Sequence, residues 1–252
     1  MTADQWTRAV RQQLGVGRVL PLGGPGDGAW ITEEAAGAVL RRAAAAVRGV
    51  RLGALRIALA DPADTPAAAV VPPPPSALPP GPLRVGAEFA ASADPTAPGG
   101  EPLPVTAARL RAALAAAAAE RLGLTVTDVD LRVTGLLDSE EPVVTGADKE
   151  PAAPPGRAPE DIADTDESRV AAAALSVPGV TRLTGVLGGL GRAVHIEDRP
   201  GPEAALPRRH VRVELAVAPH LRTLDVTHEV RTTVTAALPD HPSVAVLVTA
   251  VG

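Results

Sequence analysis

The amino-acid sequence predicts an α+β protein of two tandem α-β-β-α-β units, each a three-stranded sheet with helices on one face. Three observations carry this. A strand–helix–strand pattern over residues 209–252 repeats, in the same phase, one over residues 82–137. A helix and a further strand precede each copy in the same order. Between the copies lies a run of proline, alanine and acidic residues that can bury little, and it reads as a disordered linker. The resulting boundaries are 1–28 for an N-terminal helix and connector, 29–137 for the first unit, 138–165 for the linker and 166–252 for the second unit.

Taken in order, residues 3–14 read as a short amphipathic helix with Trp6, Val10 and Leu14 on its apolar stripe. Thr2 and Gln5 make a capping box. So narrow a stripe favours docking on the first unit over binding a partner or a membrane surface. Residues 15–28 are a glycine- and proline-rich connector. Its Gly15-Val16-Gly17 lacks the preceding strand and the full spacing of a phosphate loop.

The first unit opens at Trp30. Thr32 is a good N-cap, and Glu33 and Glu34 suit the positive end of the helix dipole. The helix runs to about Arg48 with Val39, Leu40, Ala43 and Val47 inward, and Leu55–Leu59 is a strand. Residues 61–81 are a loop holding Pro72 to Pro75, which favours polyproline II. A stiff connector between two hairpin strands is the simpler reading; a ligand for a proline-reading groove is the other. In the strand Leu83–Phe89, apolar residues alternate with Arg84 and Glu88, so those two charges share the outward face. After a loop over 92–104, Leu110, Leu114, Ala118 and Leu122 form a helical stripe, with Gly123 at the C′ position. Val129, Leu131 and Val133 mark the last strand.

The second unit begins with a helix over Asp166–Ser176, capped by Thr165 or Asp166 and stopped by Val177-Pro178-Gly179-Val180. Gly185, Gly188, Gly189 and Gly191 punctuate a turn, and Arg192–Glu197 is a strand with His195 outward. A hairpin loop over 200–207 leads to the next strand. There Val211, Val213, Leu215 and Val217 share one face, and Arg212 and Glu214 the other. Val226, Val230, Val234 and Leu238 form the last helical stripe, and Pro239 forbids its continuation. The strand Val244–Val251 is apolar at nearly every position, so both its faces are covered, by the first unit or by another subunit.

Composition narrows the function. The net charge of −5 over 252 residues argues against nucleic acid as a partner. Residues 138–168 alone carry −8, which leaves +3 for the rest, so the acidity belongs to the linker. Trp6, Trp30 and Phe89 are the aromatics, too few for a stacking platform. Cysteine is absent, which excludes disulfides and thiolate metal sites. Lys149 is the single lysine among many Arg, Ala, Gly and Pro, a bias of high-GC bacterial genomes. No basic segment leads into an apolar core at the N-terminus, and no apolar run reaches the roughly 20 residues of a membrane span. A cytoplasmic protein without direct membrane insertion is the expectation.

No catalytic, cofactor-binding or metal-ligating set stands out. Gly-x-Ser-x-Gly does not occur, and the paired carboxylates Glu33/Glu34 and Glu140/Glu141 do not converge. The five histidines all lie in the second unit. His195 and His210 fall on two strands of one hairpin, outward, with Glu197 and Glu214 nearby. They form either a small-ligand or metal site, or a solvated or subunit-facing polar sheet face. His220, His228 and His241 have no ligand spacing. The glycines from Gly185 to Gly191, followed by Arg192, read as a turn ahead of an anion cradle. The candidate working surface is the outward sheet faces, with Arg84, Glu88, His195, His210, Arg212 and Glu214 as its residues.

Two motifs add a resemblance. Gly28-Ala29-Trp30-Ile31-Thr32-Glu33-Glu34-Ala35-Ala36 is similar to the opening motif and helix of the bacterial alkaline-shock-protein (Gls-type general stress) family. The segment Ala174-Leu175-Ser176-Val177-Pro178-Gly179-Val180-Thr181-Arg182-Leu183 resembles that family's Val-Pro-Gly-Val turn. The two signatures are split here. The first unit has Val47-Arg48-Gly49-Val50 where the turn belongs. The chain also resembles actinobacterial proteins that carry a nucleopolyhedrovirus fibre-protein label, a label that low-complexity composition accounts for. The stress-family resemblance implies a non-catalytic, self-associating protein with protein partners, a membrane-anchored one among them, and a role at the cell envelope. It offers no catalytic residues to carry over.

Overall fold

A computed structural model describes residues 17–61, 68–92, 101–137, 165–186, 192–199 and 208–252. The expected helix at 3–14 and the linker segment 138–164 lie outside the described residues. So do Gly188, Gly189 and Gly191.

The described chain opens with two strands, β1 (Val19–Leu22) and β2 (Ala29–Thr32), paired antiparallel. Thus the stretch read as a connector holds a strand. Its Pro21 is tolerated because β1 is the outermost strand of its sheet. Helix α1 (Glu33–Ala45) follows at once, with the Thr32 side chain accepting from the Ala35 amide at 3.2 Å, as the sequence predicts. Glu33 leaves the helix start to accept from the Ile57 amide at 3.0 Å.

Strands β3 (Val50–Leu59) and β4 (Leu83–Ser92) pair antiparallel, with a bulge between Leu52 and Leu55. Helix α2 (Leu103–Ala116) runs on into a π-helical turn over Ala117–Leu122. Leu110, Leu114, Ala118 and Leu122 are all fully buried. A step of four residues overshoots one α-helical turn and falls short of a π turn. The wider turn therefore reverses the drift of the stripe and keeps Leu122 inward. Gly123 closes the segment at φ 87°, and β5 (Val126–Leu137) then pairs parallel to β4.

The second half has α3 (Asp166–Ser176), with Thr165 as its cap. Strands β6 (Val180–Leu183), β7 (Val194–Arg199) and β8 (Arg208–Val217) follow, then α4 (Thr223–Ala237) and β9 (Ser243–Val251). Strands β6 and β7 lie antiparallel along the same edge of β8, one at each end, and β9 lies parallel on its other side. In each half, therefore, an antiparallel pair is followed by a helix that crosses to a parallel third strand.

The result is an α+β fold with two mixed sheets. One has the order β3-β4-β5. The other has six strands, β1-β2-β9-β8 with β6 and β7 beyond. Three of its strands, β1, β2 and β6, come in addition to those the sequence predicts. The N-terminal pair joins through β2, which runs parallel to β9 with Trp30 opposite Leu247. This makes β9 an interior strand and accounts for its apolar run. Val244, Val246 and Val248 enter the main core, while Ala245 and Leu247 enter a second cluster on the other face.

The main core is continuous through both halves. It includes Leu40 of α1, Phe89 of β4, Leu110 of α2 and Val230 of α4. Helix α1 packs against both β3 and β9. Each such buried side chain contributes roughly 1.5–3 kcal/mol. The second cluster is roofed by the loop between β3 and β4. Val71, Ala69 and Ala77 pack on Val19, Trp30 and Leu247. The amides of Val70 and Leu78 donate to the carbonyls of Pro25 and Val19 at 3.0 and 2.8 Å. The proline-bearing loop thus links β3 to β4, as expected, and also straps the other sheet.

Candidate interaction surface

The six residues proposed from sequence divide sharply. Arg84 and Glu88 stand on the outward face of β4, about half exposed. Arg84 Nε lies 3.5 Å from Asp130 of β5, and Glu88 lies 3.9 Å from Arg132. Pairs this exposed contribute at most about 1 kcal/mol each. Between them Gly86 leaves the strand bare: a Cβ built there meets nothing within 4 Å. A shallow depression of about 300 Å³ results, rimmed by Ala54, Arg56, Glu88, Asp130 and Arg132. Basic and acidic groups alternate around a floor of small residues.

The second sheet corrects the expectation of a matching open face. His210 is only 5% exposed and Glu214 has no exposed surface at all. Arg212 is mostly buried and lies 4.0 Å from Glu214. His195, on β7, is partly exposed; its Nε2 is 3.0 Å from the Arg192 carbonyl. Alternation along β8 put these residues on the outward face correctly, but that face belongs to a wider sheet. Leu247, the register neighbour of Glu214, packs in the cluster under the Val71 strap.

His210 Nδ1 sits 2.9 Å from Ser243 Oγ. Burial, with the nearby Arg199 and Arg212 charges, pushes its pKa down to about 4. The ring is therefore neutral at ordinary pH. His195 and His210 are offset along the β7–β8 ladder, facing Arg212 and Glu197 respectively. Among the described residues no three His, Cys, Asp or Glu side chains gather as a metal ion requires.

Sequence reasoning passed over a second concavity, of about 430 Å³, between the β1–β2 turn and α4. Asp27, His228, Arg231, Thr235 and His241 line it. Its polar groups are turned on the protein itself. Arg231 Nε donates to the Val244 carbonyl at 3.1 Å, and Nη1 donates to the carbonyls of Gly26 and Asp27. His241 Nδ1 lies 3.2 Å from the Thr235 carbonyl. Gly28, at φ 56°, passes so close that a Cβ would stand 2.9 Å from the Arg231 guanidinium carbon. The arrangement is a clasp on the N-terminal turn. Only the order Gly26-Asp27-Gly28 marks it in the sequence.

The fold and this surface define an α+β protein with one roofed sheet and one open sheet. Comparison with family models, curated proteins and solved structures finds no match. Among the described residues no helix is long and apolar enough to cross a membrane.

Proposed function

We propose that the chain is a non-catalytic interaction or scaffold protein that binds protein partners through the open β3-β4-β5 face and also self-associates. One observation carries the reading: the charged, shallow Gly86 depression faces outward, while the corresponding face of the second sheet is interior. A flat face of alternating charge suits an extended, equally mixed protein surface. The resemblance to envelope stress proteins supports a cytoplasmic place next to the membrane, reached through an anchored partner.

The test is affinity purification of the wild-type chain beside an Arg84→Glu/Glu88→Arg variant, with membrane and cytosolic fractions kept apart. Proteins recovered by the wild type and lost from the variant, at an unchanged thermal midpoint, bear the reading out. Equal recovery by both removes this face from consideration.

A further inference from the structure

The open sheet has a free edge as well as a free face. Strand β5 pairs with β4 along its full length and, among the described residues, with no strand on its other side. Its counterpart β9 is closed on that side by β2. An exposed edge this long templates pairing with another strand unless something covers it. Along the strand the side chains are largely exposed, Arg132 80% on the open face and Leu136 65%, and Arg111 reaches the edge itself.

We infer that β5 is the interface of a twofold homodimer, pairing antiparallel with β5 of a second copy about Leu131. The sequence of the strand is self-complementary around that residue. Antiparallel pairing sets Asp130 against the second copy's Arg132, and Arg132 against its Asp130. Val129 meets Val133, and Leu131 meets itself. Of the two-residue shifts, one loses both charge pairs, and the other sets Asp128 against Arg132 only by opposing Asp130 to itself. The backbone is oriented for this register. Arg111 Nε donates to the Val129 carbonyl at 3.1 Å, so that carbonyl points away from β4. Backbone groups alternate sides along a strand, so Leu131 and Val133 present theirs at the same edge. Arg111 gives up that carbonyl to the incoming strand.

A second feature fits the same partner. Because Arg111 reaches Val129, α2 runs beside this edge. Among its exposed positions Val105, Ala108, Ala112 and Ala116 are small and apolar, while Arg109 and Arg111 are charged. Pairing of the edges lays two copies of α2 alongside each other, and alanines allow close approach. This deepens the self-association in the proposed function and rests on that reading.

The test measures the mass of the full chain by light scattering on size-exclusion chromatography. The wild type is expected at twice the chain mass. Asp130→Arg alone and Arg132→Asp alone each place like charges across the axis twice, and each raises the dimer dissociation constant about tenfold or more. The double variant Asp130→Arg/Arg132→Asp restores opposite charges and the dimer. Because the chain has no cysteine, Leu131→Cys provides a direct readout. Residues opposed at the axis stand about 5.5 Å apart, within disulfide reach. Mild oxidation should join Leu131→Cys to itself and leave Arg56→Cys unjoined. A monomeric wild type, a dimer that survives both single reversals, or unjoined Leu131→Cys overturns the inference; an added peptide from another protein pairing at this edge is one way to the first result. A monomer that still recovers partners through Arg84 and Glu88 sinks the edge alone, and a dimer that recovers none sinks the face alone.

Discussion

His228 Nε2 of α4 lies 3.0 Å from Asp27 Oδ1 in the turn between β1 and β2. With Arg231 one helical turn further on, it fastens the start of the described chain to a helix more than 200 residues later.

The two contacts differ in weight. Arg231 holds three backbone carbonyls from a half-buried position that lowers its pKa. Arg231→Ala leaves those carbonyls without their donor and should cost about 2–3 kcal/mol. The Asp27–His228 pair is open to water, so Asp27→Asn should cost less than about 1 kcal/mol. Urea denaturation of both variants measures the difference; equal losses would show that the guanidinium is not the main fastening.

His210 gives stability a pH dependence. Its pKa is near 6.5 in the unfolded chain and about 4 in the fold. The unfolded state therefore binds the proton more tightly. The contribution is fully present above about pH 6.5, is lost as pH falls, and levels out below pH 4, with a loss of up to about 3 kcal/mol. Denaturation midpoints between pH 7 and 4 follow this. A His210→Asn variant should be flatter over that range, and a parallel slope in both proteins would place the effect elsewhere.

The two halves also meet at Gly123. Its φ of 87° is left-handed, and a Cβ there would stand 2.5 Å from Leu224 Cβ. Its carbonyl accepts from the Gly23 amide at 3.1 Å. Gly123→Ala therefore combines backbone strain with a clash at the junction, and about 2–3 kcal/mol should be lost. Gly86→Ala, which meets open space, is the control and should change the stability by less than about 0.5 kcal/mol.

Local signals were the legible part of this chain. Thr32 and Thr165 cap their helices, and Gly123 ends a helical segment in the left-handed conformation. Alternation found β4 and β8. What a single sequence hides is which distant segment covers a face. Arg212 and Glu214 alternate with valines much as Arg84 and Glu88 do with their apolar neighbours, yet one pair is interior and the other is wet. The difference is made by Trp30, Val71 and Leu247, which are far apart in the chain and close in the fold. The unbroken apolar run of β9 was the trace of that arrangement. The prolines of the strap, read as a stiff connector, gave no sign that Val71 beside them is a core residue.

The placement of β2 next to β9 sets a timetable for biosynthesis. Thr32 and Thr249, which meet through a hydrogen bond, are 217 residues apart. At about 5–20 residues per second, a ribosome needs on the order of 10–40 s to deliver the second after the first. For that interval Trp30 and Ile31 have β1 as their neighbour but lack β9, so one side of β2 stays unpaired. Closure of this sheet waits for β9 to leave the exit tunnel.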